Sequence, residues 1–349
     1  MLALWDTTGR EVVRKLAEER RTAGGVASGL ALTLIAITNE ARVRAVEAAA
    51  TIAAAEHPCR LLIVVRDPLG GRADAPSRLD AEIVVGGRLG PCEAVMLRMS
   101  GRLALHAESV VVPLLASDVP VVTWWHCDPP QRIANDPLGV VAERRVTDVA
   151  VCPGPVEALH IRAEDYAPGD TDLSWTRITP WRTVLAGAFD TVTSPAVAAS
   201  VVSGPDDAGA RLLAGWLRAR LKIPVESVLD ADTTGLVSAL IRLEDEVELS
   251  LTRESTGPAT PAHEPGRWAV DGTAVLRRTG YPDRALPMAP RRLGDELAEE
   301  LRRLDADQPY ATALSAATGV QGLELRSPTR VHIWQDPAHL AGTPVSGRS

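Results

Sequence analysis

The chain has 349 residues, a formal net charge of −8, 46% hydrophobic residues and 23% charged ones. That length exceeds one typical core and predicts two domains, in a composition ordinary for folded proteins. The acidic balance argues against a general nucleic-acid or anionic-membrane binder, which needs a positive field, and no apolar run reaches the length that spans a bilayer.

Residues 11–20 read as an amphipathic helix capped by Thr7 or Thr8, without the basic-then-apolar order of a signal peptide. The apolar run 28–37 is a buried strand, the Ala-rich stretch 40–56 a helix that stops before Pro58, and 60–66 the next strand. Such a strand–helix–strand unit suits a parallel pair. Residues 82–85, 93–98 and 120–125 give further strands, and 137–146 restarts a helix. The fold class is therefore α/β with two domains. Residues 1–165 form a mostly parallel sheet with flanking helices, and the boundary falls among the turns around Pro153-Gly-Pro155 and Pro168-Gly-Asp170.

The second domain, residues 166–325, reads as α+β. Thr179 caps a helix whose first residue is Pro180 and whose buried stripe is Trp181, Val184, Leu185 and Ala188. A strand at 197–202, a helix at 207–221 and strands between 225 and 251 follow, with a tight hairpin at Glu244-Asp245. A Pro-rich loop at 256–266 leads to a second hairpin at 268–278 that turns at Asp271-Gly272. Residues 291–305 form an amphipathic helix with Leu293, Leu297, Leu301 and Leu304 on one stripe. The tail, 326–349, is rich in Gly, Pro and Ser and poorly ordered.

Chemistry concentrates in Asp172-Leu-Ser-Trp-Thr-Arg-Ile-Thr-Pro-Trp-Arg182. Two of the eight tryptophans lie here, in a chain with one Phe and three Tyr. Trp and Arg join a large contact area to directional donors and dominate interface hot spots. Trp175, Arg177, Trp181 and Arg182 are thus candidate partner-binding residues, with the stripe of the Pro180 helix as the competing reading for Trp181. A second tier is Trp124 and Trp125, whose rings point to opposite faces of a strand, and Arg144 and Arg145, read as the charged face of a helix.

Catalytic signatures are missing: no GxSxG, HExxH or GxxxxGK[ST]. Gly24-Gly25 precedes a strand instead of following one, and Thr38-Asn-Glu-Ala-Arg42, after the first strand, has no glycine to cradle a phosphate. No catalytic or cofactor-binding residue is assigned. The zinc-type residues His57, Cys59, His126, Cys127 and Asp128 lack a structural-zinc spacing, so no metal is expected. The four scattered cysteines read as reduced thiols of a cytoplasmic protein.

The 172–182 segment, with His57-Pro-Cys-Arg60, Val111-Val-Pro-Leu-Leu115, Pro120-Val-Val-Thr-Trp-Trp125 and Arg144-Arg-Val-Thr-Asp148, occurs in an order that resembles the OpcA family of glucose-6-phosphate dehydrogenase assembly proteins. The resemblance runs from about Trp5 to the helix ending near Leu304. It implies a non-catalytic partner that activates glucose-6-phosphate dehydrogenase at the entry to the oxidative pentose phosphate pathway. The alternative is a sugar-phosphate-binding enzyme or metabolite sensor.

Overall fold

A computed structural model describes residues 1–22, 29–67, 76–86, 93–254, 272–288 and 291–330. It divides into two compact units, one built from Met1–Arg145 and the other from Val146–Pro328.

The first unit comprises β1 (Leu2–Leu4), α1 (Gly9–Thr22), β2 (Leu32–Thr38), α2 (Val43–Glu56), β3 (Cys59–Asp67), β4 (Arg78–Val85), β5 (Glu93–Ser100), the single turns α3 (Arg102–Leu105) and α4 (Glu108–Val111), β6 (Val121–Trp125) and α5 (Pro137–Val140). Its strands lie in the order β1-β4-β5-β3-β2-β6. The β5-β3-β2-β6 stretch is parallel, and β4 and β1 extend it antiparallel. All seven residues of β2 are buried, as a central strand covered on both faces requires. Ile35, Ile37, Leu62 and Val64 pack with Val12 and Leu16 of α1 and with Val110 and Val111 of α4. On α2 the buried stripe is Val46, Ala49, Ala50 and Ala53, the i, i+3, i+4, i+7 pattern of a helix laid on a sheet.

One element departs from the sequence reading. The expected helix at 137–146 is a single turn, and Arg144–Thr147 form β7, buried throughout. Gly139 and the β-branched pair Val140-Val141 are poor helix formers. A Cβ on Gly139 would collide with the Ile133 side chain, so this position serves close packing.

The second unit holds α6 (Pro155–Asp165), β8 (Asp170–Asp172), α7 (Leu173–Arg177), α8 (Thr179–Phe189), β9 (Ala196–Ser203), α9 (Ala208–Leu221), β10 (Val225–Leu229), β11 (Leu236–Leu243), β12 (Glu248–Arg253), β13 (Thr273–Arg278), β14 (Arg284–Pro287), α10 (Leu293–Glu300) and α11 (Gln308–Thr318). A six-stranded sheet runs β10-β9-β11-β12-β13-β14, antiparallel except for the β9–β10 pair joined through α9. The Glu244-Asp245 hairpin forms, with Glu246 at φ 59°. Of the second expected hairpin, residues 268–271 lie outside the described residues, as do 331–349 of the tail. Along β11 and β12, Ala239, Ile241, Leu249 and Leu251 face a core shared with α8, α9 and α11.

This unit starts at Val146, ahead of the boundary read near 165. Val149, Leu159 and Ala163 belong to its core, together with Trp175 and Tyr310. The helix α11 was not read from the sequence, although its signals are present: Asp307 caps it, accepting from the Tyr310 N–H at 3.0 Å, Pro309 sits in its first turn and Gly319 ends it at φ 83°.

Helices α9 and α11 cross tightly at Gly215. A Cβ there would strike the Ala313 carbonyl and stand 2.8 Å from the Ala317 nitrogen. Because backbone cannot yield as a side chain does, Gly215→Ala should cost about 1–3 kcal/mol despite the better helix propensity of alanine. Urea unfolding of the two proteins measures it, and a stabilised variant would contradict the close crossing.

Candidate functional site

The Trp/Arg segment is the interior of the second unit. Asp172 opens α7 as its N-cap, accepting from the Ser174 N–H at 2.8 Å, while its other oxygen takes the Thr147 hydroxyl at 2.6 Å and the Val149 N–H at 3.0 Å. Arg177, at the end of that helix, forks onto both oxygens of Asp148 at 2.6 and 2.8 Å and reaches Glu296 of α10 through Nε at 2.8 Å. One residue earlier, the Thr176 hydroxyl donates to Glu300 at 2.5 Å. The indole of Trp175 donates to Asp307 at 2.9 Å and tilts against the Tyr310 ring, centroids 5.8 Å apart. Arg182 lies over the Trp175 ring, its guanidinium carbon 3.5 Å from the centroid, and donates to the Thr179 hydroxyl at 2.9 Å.

These placements correct the expectation of an exposed recognition face. Trp175 and Trp181 are 2% and 3% exposed, and the Arg177 side chain 11%. Arg182, like Arg177, is neither fully buried nor exposed. In the first unit Trp124 and Trp125 are both fully buried, Trp125 in the core beside Leu138 and Trp124 with its ring 5.5 Å from that of His126. Arg144 and Arg145 are buried too, in β7 and not on a solvated helix, and Arg145 donates to the Ala142 carbonyl. The composition of a hot spot is equally that of a buried polar network; the carboxylates that distinguish the two lie 29 to 132 residues away along the chain.

The acidic partners were missed by sequence reading. One signal was available: Glu296 and Glu300, four apart, lie beside Leu297 and Leu301 on the helix stripe that is buried. Burial pushes the Asp172 carboxyl up to about 6, with the nearby Asp148 charge adding to it. Burial also lifts Glu296 to about 7 against the opposing pull of Arg177, whose own pKa is raised by Asp148 and Glu296 in spite of its desolvation.

A cavity of about 130 Å³ opens in the same unit, against the first turn of α9, the ends of β11 and β12, and one side of α7. The order here is strand, Gly204-Pro-Asp-Asp-Ala-Gly209, then helix, the arrangement that is missing after β2. A Cβ on Gly204 would stand 3.0 Å from the Thr234 Cα, so glycine lets this loop lie against its neighbour. Asp207 caps α9 through the Ala210 N–H at 2.9 Å and is pushed up by burial. Arg253 also lines the cavity; burial lowers its pKa, and among the described residues Asp207 is the charge that opposes it. At the corresponding turn after β2, Asn39 closes the chain on itself by accepting from the Arg42 N–H. Among the described residues no group of three His, Cys, Asp or Glu side chains is arranged to hold a metal, and no helix is long and apolar enough to cross a membrane. Cys127 is buried, with the Asn39 amide 3.6 Å from its sulfur.

Two family models match in succession: the glucose-6-phosphate dehydrogenase subunit N-terminal domain over residues 50–164 and the C-terminal domain over 168–314. The chain belongs to the OpcA family. Similar proteins include the putative OxPP cycle proteins OpcA of Synechococcus elongatus, 27% identical over 40% of this chain and 33% of that one, and of Synechocystis sp., 24% identical over 48% and 38%. The matched stretch thus spans about a third of the length of these relatives. Among solved structures, the 3-ketoreductase KijD10 from Actinomadura kijaniata covers 87% of this chain and 100% of its own at 11% identity and a TM-score of 0.36, and the UDP-N-acetylglucosamine 3-dehydrogenase GnnA from Acidithiobacillus ferrooxidans 85% and 97% at 10% and 0.32.

Two outcomes follow from the buried network. Arg177→Met leaves Asp148 and Glu296 without their cation and should cost about 3–5 kcal/mol, read as a large drop in melting temperature; a variant within a degree or two of the parent would place the network at the surface. The second concerns pH. Asp172 and Glu296 bind their protons more tightly in the folded chain than in the unfolded one. Their contribution to stability is complete below the ordinary carboxylate range and is lost as pH climbs through about 6 and about 7. Glu296→Gln keeps the uncharged form, so its melting temperature relative to the parent should rise steadily from pH 4 to pH 8, by the equivalent of roughly 2–3 kcal/mol. A constant difference across that range would contradict the assignment.

Proposed function

We propose that this protein acts by binding glucose-6-phosphate dehydrogenase and favouring its active assembly, without catalysing a reaction itself. The observation that carries this reading is the succession of the two subunit-domain models across residues 50–314. Energetics make the role accessible to a modest interface. An activator must bind the active form of its partner more tightly than the inactive one, and a tenfold shift takes only about 1.4 kcal/mol of differential affinity. The carboxylates with raised pKa support a non-catalytic reading: Asp172 already accepts three hydrogen bonds and Glu296 pairs with Arg177, so both are spent within the fold. In this reading the Trp/Arg segment serves the partner indirectly, by fixing the shape of the second unit.

The test is to mix the purified chain with the dehydrogenase of the same organism and follow its activity and mass by kinetics and light scattering. Increased activity with a shift to larger species is expected, and the chain alone should not turn over glucose 6-phosphate with NADP. Unchanged kinetics together with an unchanged mass distribution would overturn the assembly role; turnover that survives repurification would overturn the non-catalytic one.

A further inference from the structure

The cavity of the second unit is not used by the assembly role, and its wall carries groups that a purely structural hollow does not need. Arg253 ends β12 and lines that cavity. Among the described residues it enters no ion pair, and the one charge that opposes it, Asp207, already caps α9. Arg253 is half-buried and holds no ion pair among the described residues, whereas the neighbouring arginines are engaged: Arg177 with Asp148 and Glu296, Arg291 with Glu299. Arg253 is the available donor. Ser174 lines the same cavity, is 2% exposed, and its hydroxyl forms no well-directed hydrogen bond, although it lies near the Asp172 carboxylate.

The remaining lining mixes acceptors with an apolar side. Asp206 adds a carboxylate, and Pro180, Trp181 and Met288 supply apolar contact. A guanidinium recognises phosphate or carboxylate through its paired N–H groups, while carboxylates repel an anion but accept readily from hydroxyls. One guanidinium free among acceptors therefore suits a ligand with a single anionic end and a hydroxylated body. The volume has room for about ten water-sized groups. We propose that this cavity binds a small hydroxyl-bearing phosphomonoester, with Arg253 as the ligand of its phosphate and Ser174 as a second donor.

Calorimetric titration of the purified chain alone, with a hexose 6-phosphate, the free hexose and inorganic phosphate, tests this without the dehydrogenase and is independent of the assembly role. The hexose phosphate should bind saturably, about tenfold or more tightly than inorganic phosphate, and the free hexose should give no saturable heat. Arg253→Met should weaken binding by about tenfold or more, the loss of one charge-assisted contact, while melting close to the parent temperature because no ion pair is lost among the described residues. Ser174→Ala should weaken binding by a smaller factor and provides the test if the first variant does not fold. Absence of saturable binding by the hexose phosphate, or parent-like affinity in a folded Arg253→Met or, failing that, in Ser174→Ala, would overturn the proposal. Equal affinity for inorganic phosphate would overturn its hydroxylated half.

Discussion

The second unit depends on the charge of Arg177. Its guanidinium faces two carboxylates, Asp148 and Glu296, from separate parts of the chain, with the side chain 11% exposed. In that setting neither the cation nor the anions can be left alone, since each would carry an uncompensated desolvation cost of several kcal/mol. The strand end at Asp148, the short helix α7 and the helix α10 are therefore held to one mutual arrangement by electrostatics, where apolar packing by itself would tolerate sliding.

Around that centre the neighbouring residues of the same short helix each reach a different element. Asp172 ties α7 back to Thr147 and Val149, Thr176 reaches Glu300, and Trp175 reaches Asp307 and Tyr310 of α11. A five-residue helix has little stability of its own; here its groups are almost all committed to tertiary partners. The network is polar yet largely buried, which strengthens its bonds and raises the cost of any break.

Much of the architecture was legible because it rests on local pattern. The unbroken apolar run of β2, the alanine stripe of α2 and the alternation along β11 and β12 each state a period and a degree of burial. Legibility failed where tertiary context outweighs local propensity. Arg144-Arg145 after a Pro-initiated turn looks like a continuing charged helix, but Gly139, Val140 and Val141 end it and the arginines enter a buried strand. The strand–glycine–helix order at Gly204–Gly209 is legible in the sequence, but its place beside a cavity is set only by the fold.

The sequence by itself determined the family, the two-part α/β organisation and the type of nearly every long element, since hydrophobic period and ordered landmarks are properties of neighbours along the chain. Only the tertiary structure decided that Trp175, Arg177 and Trp181 are internal and that Arg253 lines a cavity, opposed among the described residues by Asp207. The reason is physical. Whether an arginine is a recognition group or half of a buried pair is set by the carboxylate it meets, and Asp148 and Glu296 lie 29 and 119 residues from Arg177, brought together only by the fold.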